Sequence, residues 1–537
     1  MSESPAQAAG PPSVHPPLQG GERVLGTLVL SLATFMNVLD ASIANVSLPA
    51  IAGDLGASVH QGTWVITSFG IATAISMPLT GWLTQRFGQV RLFVASVLLF
   101  VLASFFCGRA PSIEWLIAFR VLQGLVAGPM MPLSQILVMA SHPPERAGRA
   151  LAVWSMTILI APIVGPLLGG WISDNMHWAW IFYINVPIGL ICALLTWIIY
   201  RRRESLRRRI PVDAVGLILV VIWVGAFQTM LDTGKEDDWF DATSIVVLGL
   251  VALIGFAVFF VWEWTDEHPI VDIRMFRDRN FTLGVLSLSG GFALFSGNIV
   301  LLPLWLQQSM GYTATWAGLV LAPVGVIAIM CTPLAGRAID RGYARTVAVL
   351  AFLSFALSFW LRSRFTLQAD FVTIVLPLIF QGVGGALFFI STVAISFSNL
   401  QPARLPLASG LSNFVRISAG AFGTSIGTTL WDARSRHHRV HLVEDASREG
   451  WTLEHPFFDP FRGVGMDQEQ IRAQLERLIE QQATTLAVND VFLITSFVYL
   501  LLIIPVVLAR PVAVRRNNRA VAPKLVPPSV NDTEPTH

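Results

Sequence analysis

Three ionisable side chains, Asp40, Arg120 and Arg416, lie deep inside long apolar stretches. Holding an ionised group at the centre of a bilayer costs about 2.5 to 3.5 kcal/mol, so such residues are by default candidates for ion or substrate pathways. On a helix Asp40 shares a face with Asn37, Ala44 and Ser47, a polar and small stripe suited to a cavity rather than to lipid. Arg120 heads the row Arg120, Gly124, Gly128, spaced four apart, with Gln123 beside it. Counting helical rise from the ends of their apolar runs puts Asp40 and Arg120 at a common depth, roughly 10 to 14 Å below one surface, where they can pair. Desolvation favours the neutral acid and a nearby guanidinium favours the carboxylate, so hydration or substrate can switch its proton occupancy. That is a proton relay. The competing reading is a permanent salt bridge that only lets both groups tolerate the membrane. Arg416 sits near Ser412 and Asn413 with no evident partner, and both a packing role and a substrate role are open to it. Asn37, Gln123, Asn298 and Arg416 are the polar candidates for the lining of a substrate cavity.

Other chemistries are poorly served. His437, His438 and His441 have only Glu444 and Asp445 close in sequence, and no metal site is expected. Cys107, Cys192 and Cys331 lie in apolar runs without metal-type spacing or a disulfide framework. There is no G-x-x-x-x-G-K-[ST] loop, so no built-in P-loop motor, and no nucleophile elbow. Gly382, Gly384 and Gly385 form a dinucleotide-like string that helix packing explains better. The 36 Lys and Arg against 34 Asp and Glu leave a net charge of +2, which gives no reason to expect a nucleic-acid partner.

The elements that must position these residues follow from hydropathy. Of 537 residues 54% are hydrophobic and only 13% charged, half the charged fraction of ordinary soluble domains, roughly 25%. Runs of about 20 apolar residues are long enough to span a bilayer. About fourteen occur, near 25–48, 64–84, 91–109, 113–139, 148–172, 179–200, 213–232, 243–264, 282–308, 313–335, 346–362, 371–398, 407–431 and 490–510. The expected fold class is therefore an all-α integral membrane protein. Alternate short loops carry nearly all the arginine, including Arg86, Arg91, Arg146, Arg149, the cluster Arg201 to Arg209, Arg337, Arg341 and Arg404. Retention of positive residues on the cytoplasmic side puts both termini there, in agreement with Arg515, Arg516 and Arg519.

Pro78-Leu79-Thr80-Gly81 followed by Gln85-Arg86 is echoed by Pro333-Leu334-Ala335-Gly336 followed by Asp340-Arg341. Thr63-Trp64 and Thr315-Trp316 precede the two copies at similar distances. Such a repeat divides the chain six plus two plus six. The expected parts are a disordered tail 1–22, a six-helix half 23–210, two inserted helices 211–266, a second half 267–510 with a long periplasmic loop 432–489, and a tail 511–537. Within that loop 466–489 places Ile471, Leu475, Leu478 and Ile479 at helical spacing, so its end is expected to extend the last span as a solvated helix or to dock a partner. Gly81, Arg86, Gly88, Arg91, Gly336, Asp340 and Arg341 are candidate conformational residues. So are Gly124 and Gly128, and in the fifth run Pro162, Gly165, Pro166, Gly169 and Gly170, where lost amide donors and weak helix propensity favour a bend.

Leu39-Asp40-Ala41-Ser42-Ile43-Ala44-Asn45-Val46 with Pro49, Arg120-Val121-Leu122-Gln123-Gly124, and the run through Gly165-Pro166 and Gly169-Gly170 resemble motifs of one family. So do Trp180 to Pro187, Lys235 to Phe240 and Tyr312 to Gly318. Over nearly its whole length the chain resembles the major facilitator superfamily, and within it the fourteen-span drug:proton antiporters of the EmrB/QacA type. The resemblance implies export of hydrophobic toxic compounds from the bacterial inner membrane, driven by the proton gradient and without a cofactor. It implies that Arg120 takes part in proton coupling, and that a periplasmic EmrA-like membrane-fusion adaptor and an outer-membrane channel are partners. Gln85 stands where the loop motif usually carries aspartate, so gating attributed to that aspartate is in doubt, whereas the second copy keeps Asp340. Rival expectations are a narrow exporter of a fatty acid, siderophore or metabolite, and a non-transporting receptor or scaffold.

Overall fold

The structure, a computed structural model, describes residues 16–511 except 144–145, 208–212, 236, 268, 449–458, 460–462 and 464–465. Most of the first tail, the second tail with Arg515, Arg516 and Arg519, and Arg208, Arg209 and Glu236 lie outside the described residues. So does the middle of the segment 432–489.

Among the described residues all regular structure is helical. The first half comprises α1 (Gly20–Asp54), α2 (Val59–Ser76), α3 (Thr80–Phe87), α4 (Gln89–Cys107), α5 (Ile113–Ala127), α6 (Met130–Ala140), α7 (Ala147–Asn175), α8 (Trp180–Tyr183) and α9 (Asn185–Tyr200). An inserted hairpin, α10 (Ala214–Thr233) and α11 (Thr243–Thr265), follows. The second half has α12 (Arg279–Gln308), α13 (Ala314–Asp340), α14 (Ala344–Arg362), α15 (Phe371–Phe397), α16 (Leu405–Arg448), α17 (Gln468–Leu501) and α18 (Ile503–Leu508).

Helix starts are set by local chemistry. Ser58 and Gln61 form a capping box at α2, as do Asp467 and Gln470 at α17. The side chains of Asp278 and Asp370 cap α12 and α15. Pro78 supplies no amide donor, and α2 and α3 meet there at 61°. The Gly/Pro run does not interrupt α7, which passes from Ala147 to Asn175 as one helix. The segment 432–489 is helical at both flanks, because α16 continues to Arg448 and α17 begins at Gln468.

Among the described residues eleven helices are long and apolar enough to cross a membrane, or twelve if the bent α2–α3 pair is one span. Of the fourteen expected runs, α7 and α16 stand outside that count. Large apolar side chains such as Leu99, Leu194, Ile218, Leu253, Val261, Leu376 and Phe497 point outward from helix after helix. Soluble monomers rarely expose apolar patches beyond a few hundred Å². This is the surface of a multi-pass membrane protein.

Lipid is as apolar as leucine, so helices associate here through close fit rather than hydrophobic drive. A Cβ on Gly124 would lie 2.5 Å from the Phe69 carbonyl oxygen, and one on Gly128 would overlap Ser76 Oγ, so α5 rests directly on α2. Gly165 and Gly169 meet Ser42 and Ile43 of α1 in the same way, while Gly170 faces open space. The halves touch mainly where α7 packs on α13 and α15, and where α3 and α6 pack on α16. The hairpin packs on itself and leans through α10 on both α2 and α16.

Candidate functional site

In the first half Asp40, 2% exposed, receives donors from two other helices. Arg120 Nη1 on α5 lies 2.6 Å from Asp40 Oδ2. Asp40 Oδ1 accepts from Asn185 Nδ2 at 2.7 Å and from Gln123 Nε2 at 3.2 Å. Arg120 Nη1 also reaches Gln123 Oε1 at 2.7 Å, and its Nε donates to the Val65 carbonyl at 3.0 Å. Its guanidinium lies 4.0 Å from the Phe69 ring centre. Ser104 Oγ on α4 accepts from Gln123 Nε2 at 2.8 Å. One carboxylate thus ties α1 to α5 and α9, and Gln123 carries the network to α4, with every member buried. Removing one partner of such a pair strands a desolvated charge at a cost of about 3 to 5 kcal/mol.

Asp40 and Arg120 meet as their spacing and depth suggested. Asn185 and Ser104 were not singled out from the sequence, although a lone amide at the head of an apolar run, as Asn185 is, was a usable signal. Gln123, expected in a substrate cavity, serves this network instead. Asn37 is also displaced from that role, because its Nδ2 donates to the Ala127 carbonyl at 3.3 Å and ties α1 to α5.

The second half holds a further embedded charge singled out from the sequence. Arg416 is 1% exposed, and among the described residues no carboxylate pairs with it. Its Nη2 donates to Met131 Sδ at 2.9 Å and Asn413 Oδ1 at 3.1 Å, while Nε has no partner among the described residues. The guanidinium lies 4.4 Å from the Phe292 ring centre and 5.5 Å from that of Phe389. Both rings line a small cavity with Phe295, Phe355, Phe388, Ile158 and others, about 20 Å³ between α7 and the second half. Phenylalanines on α12, α14 and α15 converge there, and no single helix announced them. Asn298 is not part of this lining. Six residues beyond Phe292, it is turned by roughly 240° around α12, and its Nδ2 bonds the Leu294 carbonyl and Thr495 Oγ1 on α17.

The arginine-rich end is closed between the halves. Asp340 accepts from the Gly148 amide at 2.9 Å and lies 3.0 Å from Arg149 Nε. It thereby sits at the N-terminus of α7, where a negative charge is favoured. Gly336 lets α13 approach α7 closely, since a Cβ there would lie 2.9 Å from Arg149 Cα. Gly81 lies under Leu407 of α16, at 2.6 Å from where its Cβ would be. Ser409 Oγ and Asn413 Nδ2 both donate to Gln135 Oε1, at 2.6 and 3.0 Å. In the first copy of the repeat Gln85 makes no matching latch among the described residues but lines a surface cleft with Trp82, Leu407, Glu267, Pro269, Ile270, Asp272 and Arg274. Gly88 has φ +92 and opens α4, whose first amides, Val90 and Arg91, donate to Glu204 at 3.1 and 3.0 Å. Arg86 stacks over Trp82, and Arg341 is the exposed cap of α13. Pro162 is half-buried within α7, and the side chain of Pro166 is outside what the structure describes.

At the opposite end His438 and Arg434 share the Asp490 carboxylate, at 2.7 and 2.6 Å. They bind the α16 extension to α17.

Comparison with known proteins follows the same lines. Residues 30–424 match the Major Facilitator Superfamily. The chain is 47% identical over 497 residues to the multidrug export protein EmrB of Haemophilus influenzae, covering 92% of this chain and 97% of that one. It is 47% identical to EmrB of Escherichia coli K12 over 496 residues, again 92% and 97% of the two chains. It is 45% identical over 497 residues to the fatty acid resistance protein FarB of Neisseria gonorrhoeae, covering 93% and 98%. The crystal structure of the human organic anion transporter MFSD10 superposes with a TM-score of 0.54 at 14% identity, over 90% of this chain and all of the other, a likeness of fold alone.

Proposed function

The chain belongs to the major facilitator superfamily, and from that premise we propose that it is a proton-coupled exporter of hydrophobic toxic compounds in a bacterial inner membrane. The observation that carries this reading is the buried Asp40 carboxylate, held by Arg120, Gln123 and Asn185. Its protonation state and its link to Arg120 can change together as the halves rock. The names of the EmrB and FarB relatives support the direction of transport and the lipophilic cargo.

On this reading α7, α16 and the bent pair join the other eleven helices as fourteen spans, with the arginine-rich end and both termini cytoplasmic. The contacts of Asp340 with Gly148 and of Gly81 with Leu407 then shut the cytoplasmic side, and the form described is outward-facing. Substrate binds where the phenylalanines converge, in a cavity that widens as the halves rock apart, and non-directional burial there tolerates varied shapes. The proton gradient is the energy source, and no cofactor is required. The extensions of α16 and α17 on the outer side offer the surface for a membrane-fusion adaptor, which passes substrate to an outer-membrane channel.

A narrower reading is favoured by one observation: Arg416, unpaired beside that cavity, suits an acidic amphiphile such as a fatty acid. The test is uphill efflux in proteoliposomes under an imposed proton gradient, for wild type and Asp40→Asn, over lipophilic cations, weak acids and neutral compounds. The variant should lose uphill transport while retaining exchange down a substrate gradient. Retained uphill transport would remove Asp40 from the coupling, and wild-type transport of acids alone would establish the narrower reading. Failure of substrate to release protons from purified wild-type protein would favour a receptor or scaffold.

A further inference from the structure

The inserted hairpin holds a second pair of acids that the transport reading does not use. Asp213 caps α10, its Oδ1 accepting from the Gly216 amide at 2.8 Å, and both its oxygens lie 3.1 Å from Trp262 Nε1. Glu263 on α11 is fully buried; Oε2 accepts from the Val271 amide at 3.1 Å, whereas Oε1 has no partner among the described residues. A Cβ on Gly216 would lie 2.6 Å from Glu263 Oε1 and closer still to Asp213 Oδ2, so these two oxygens converge on one spot above the glycine.

Among the described residues no cation neutralises them; Arg208, Arg209 and His268 lie outside the described residues. The described charged groups that act on Glu263 are Asp213 on α10, Asp266 at the end of α11 and Asp272 in the linker, all acidic. Arg274 spends Nη2 on the Trp264 and Asp266 carbonyls, at 2.8 and 2.7 Å, and Arg277 stacks over Trp264. With no counter-cation among the described residues, two converging carboxylates out of water do not both stay ionised.

We propose that Asp213 and Glu263 form a proton-binding site, with one proton on Glu263 Oε1 donated to Asp213 Oδ2. Asp213 is the acceptor because its oxygens already face donors, the Gly216 amide and the Trp262 indole, at the positive end of α10. Through Val271 the site holds the linker into the second half. Pro269, Ile270, Asp272 and Arg274 of that linker form one wall of the cleft, about 220 Å³, whose other wall is Trp82, Gln85 and Leu407 at the contact between the halves. Loss of the proton sets two like charges against each other and loosens the tie. The anchoring is therefore complete at acidic pH and disappears as pH rises through the pair's titration, a sensor of pH at the arginine-rich end.

Infrared difference spectroscopy of the full chain in lipid nanodiscs tests this directly. Glu263→Gln mimics the protonated acid and should fold; wild type minus this variant should show one carboxylic-acid C=O band at neutral pH that disappears on alkaline titration. Asp213→Asn keeps the cap but removes the neighbouring charge, and should move the disappearance of that band to lower pH. In hydrogen exchange, corrected for the intrinsic rate, the Val271 amide of wild type should lose protection as pH rises, while Glu263→Gln should stay protected throughout. Absence of the band, a band unmoved by Asp213→Asn, or identical exchange profiles would overturn the proposal. So would stabilisation of wild type by sodium or magnesium without an acid band, which would make the pair a cation site.

Discussion

Arg416→Met separates a charge retained for packing from one retained for substrate. Methionine has similar length and no charge, so the substitution leaves the cavity shape nearly intact. It forfeits the stacking on Phe292 at 4.4 Å, about 0.5 to 2 kcal/mol, and the bond to Asn413, about 1 kcal/mol. Against that it removes a buried charge whose Nε is unsatisfied and whose desolvation costs several kcal/mol. Net stability should therefore be unchanged or higher. A carboxylate bound 4 Å from the guanidinium gains about 4 kcal/mol at an effective dielectric near 20. If roughly half of that is spent desolvating the ligand, about 2 kcal/mol remains, or thirtyfold in affinity. Transport of lipophilic acids by reconstituted protein should then show KM raised at least about thirtyfold, with neutral and cationic substrates unaffected. Thermal unfolding in the same detergent should show no loss. A large drop in unfolding temperature with equal loss of every substrate would refute the reasoning and leave Arg416 a packing residue.

Three other outcomes are expected. In a double-mutant cycle, Asp40→Asn alone should destabilise the protein by about 3 to 5 kcal/mol, and Arg120→Gln added to it should recover most of that loss without recovering uphill transport; equal stability of the single and double variants would show that the pair is not electrostatically bound. Asp340→Ala removes the bond to the Gly148 amide and the contact with Arg149, about 1 to 2 kcal/mol, and should speed labelling of a cysteine placed at Leu407 about tenfold in a background lacking Cys107, Cys192 and Cys331. Unchanged labelling would exclude Asp340 from closure of that end. Gly124→Val drives a side chain into the Phe69 carbonyl and should abolish folded protein in gel filtration, whereas Gly170→Ala, which meets nothing within 4 Å, should leave yield and transport at wild-type level.

The sequence by itself determined the run of apolar helices, the embedded Asp40, Arg120 and Arg416, and the common depth at which the first two meet. Each depends on quantities that are local along the chain, hydropathy over about 20 residues and a rise of 1.5 Å per residue. Lateral neighbours are not local. Asn185 reaches Asp40 across 145 residues of chain, and Gln135 meets Asn413 across 278, so neither partner was legible from spacing. The tertiary structure alone decided that phenylalanines from three helices converge beside Arg416, that Asn298 turns toward α17, and that Asp340 rather than Gln85 joins the halves. The physical reason is that every apolar helix is about equally content facing lipid. Glycine contacts and a few buried hydrogen bonds, satisfied in only one arrangement, therefore choose which faces meet.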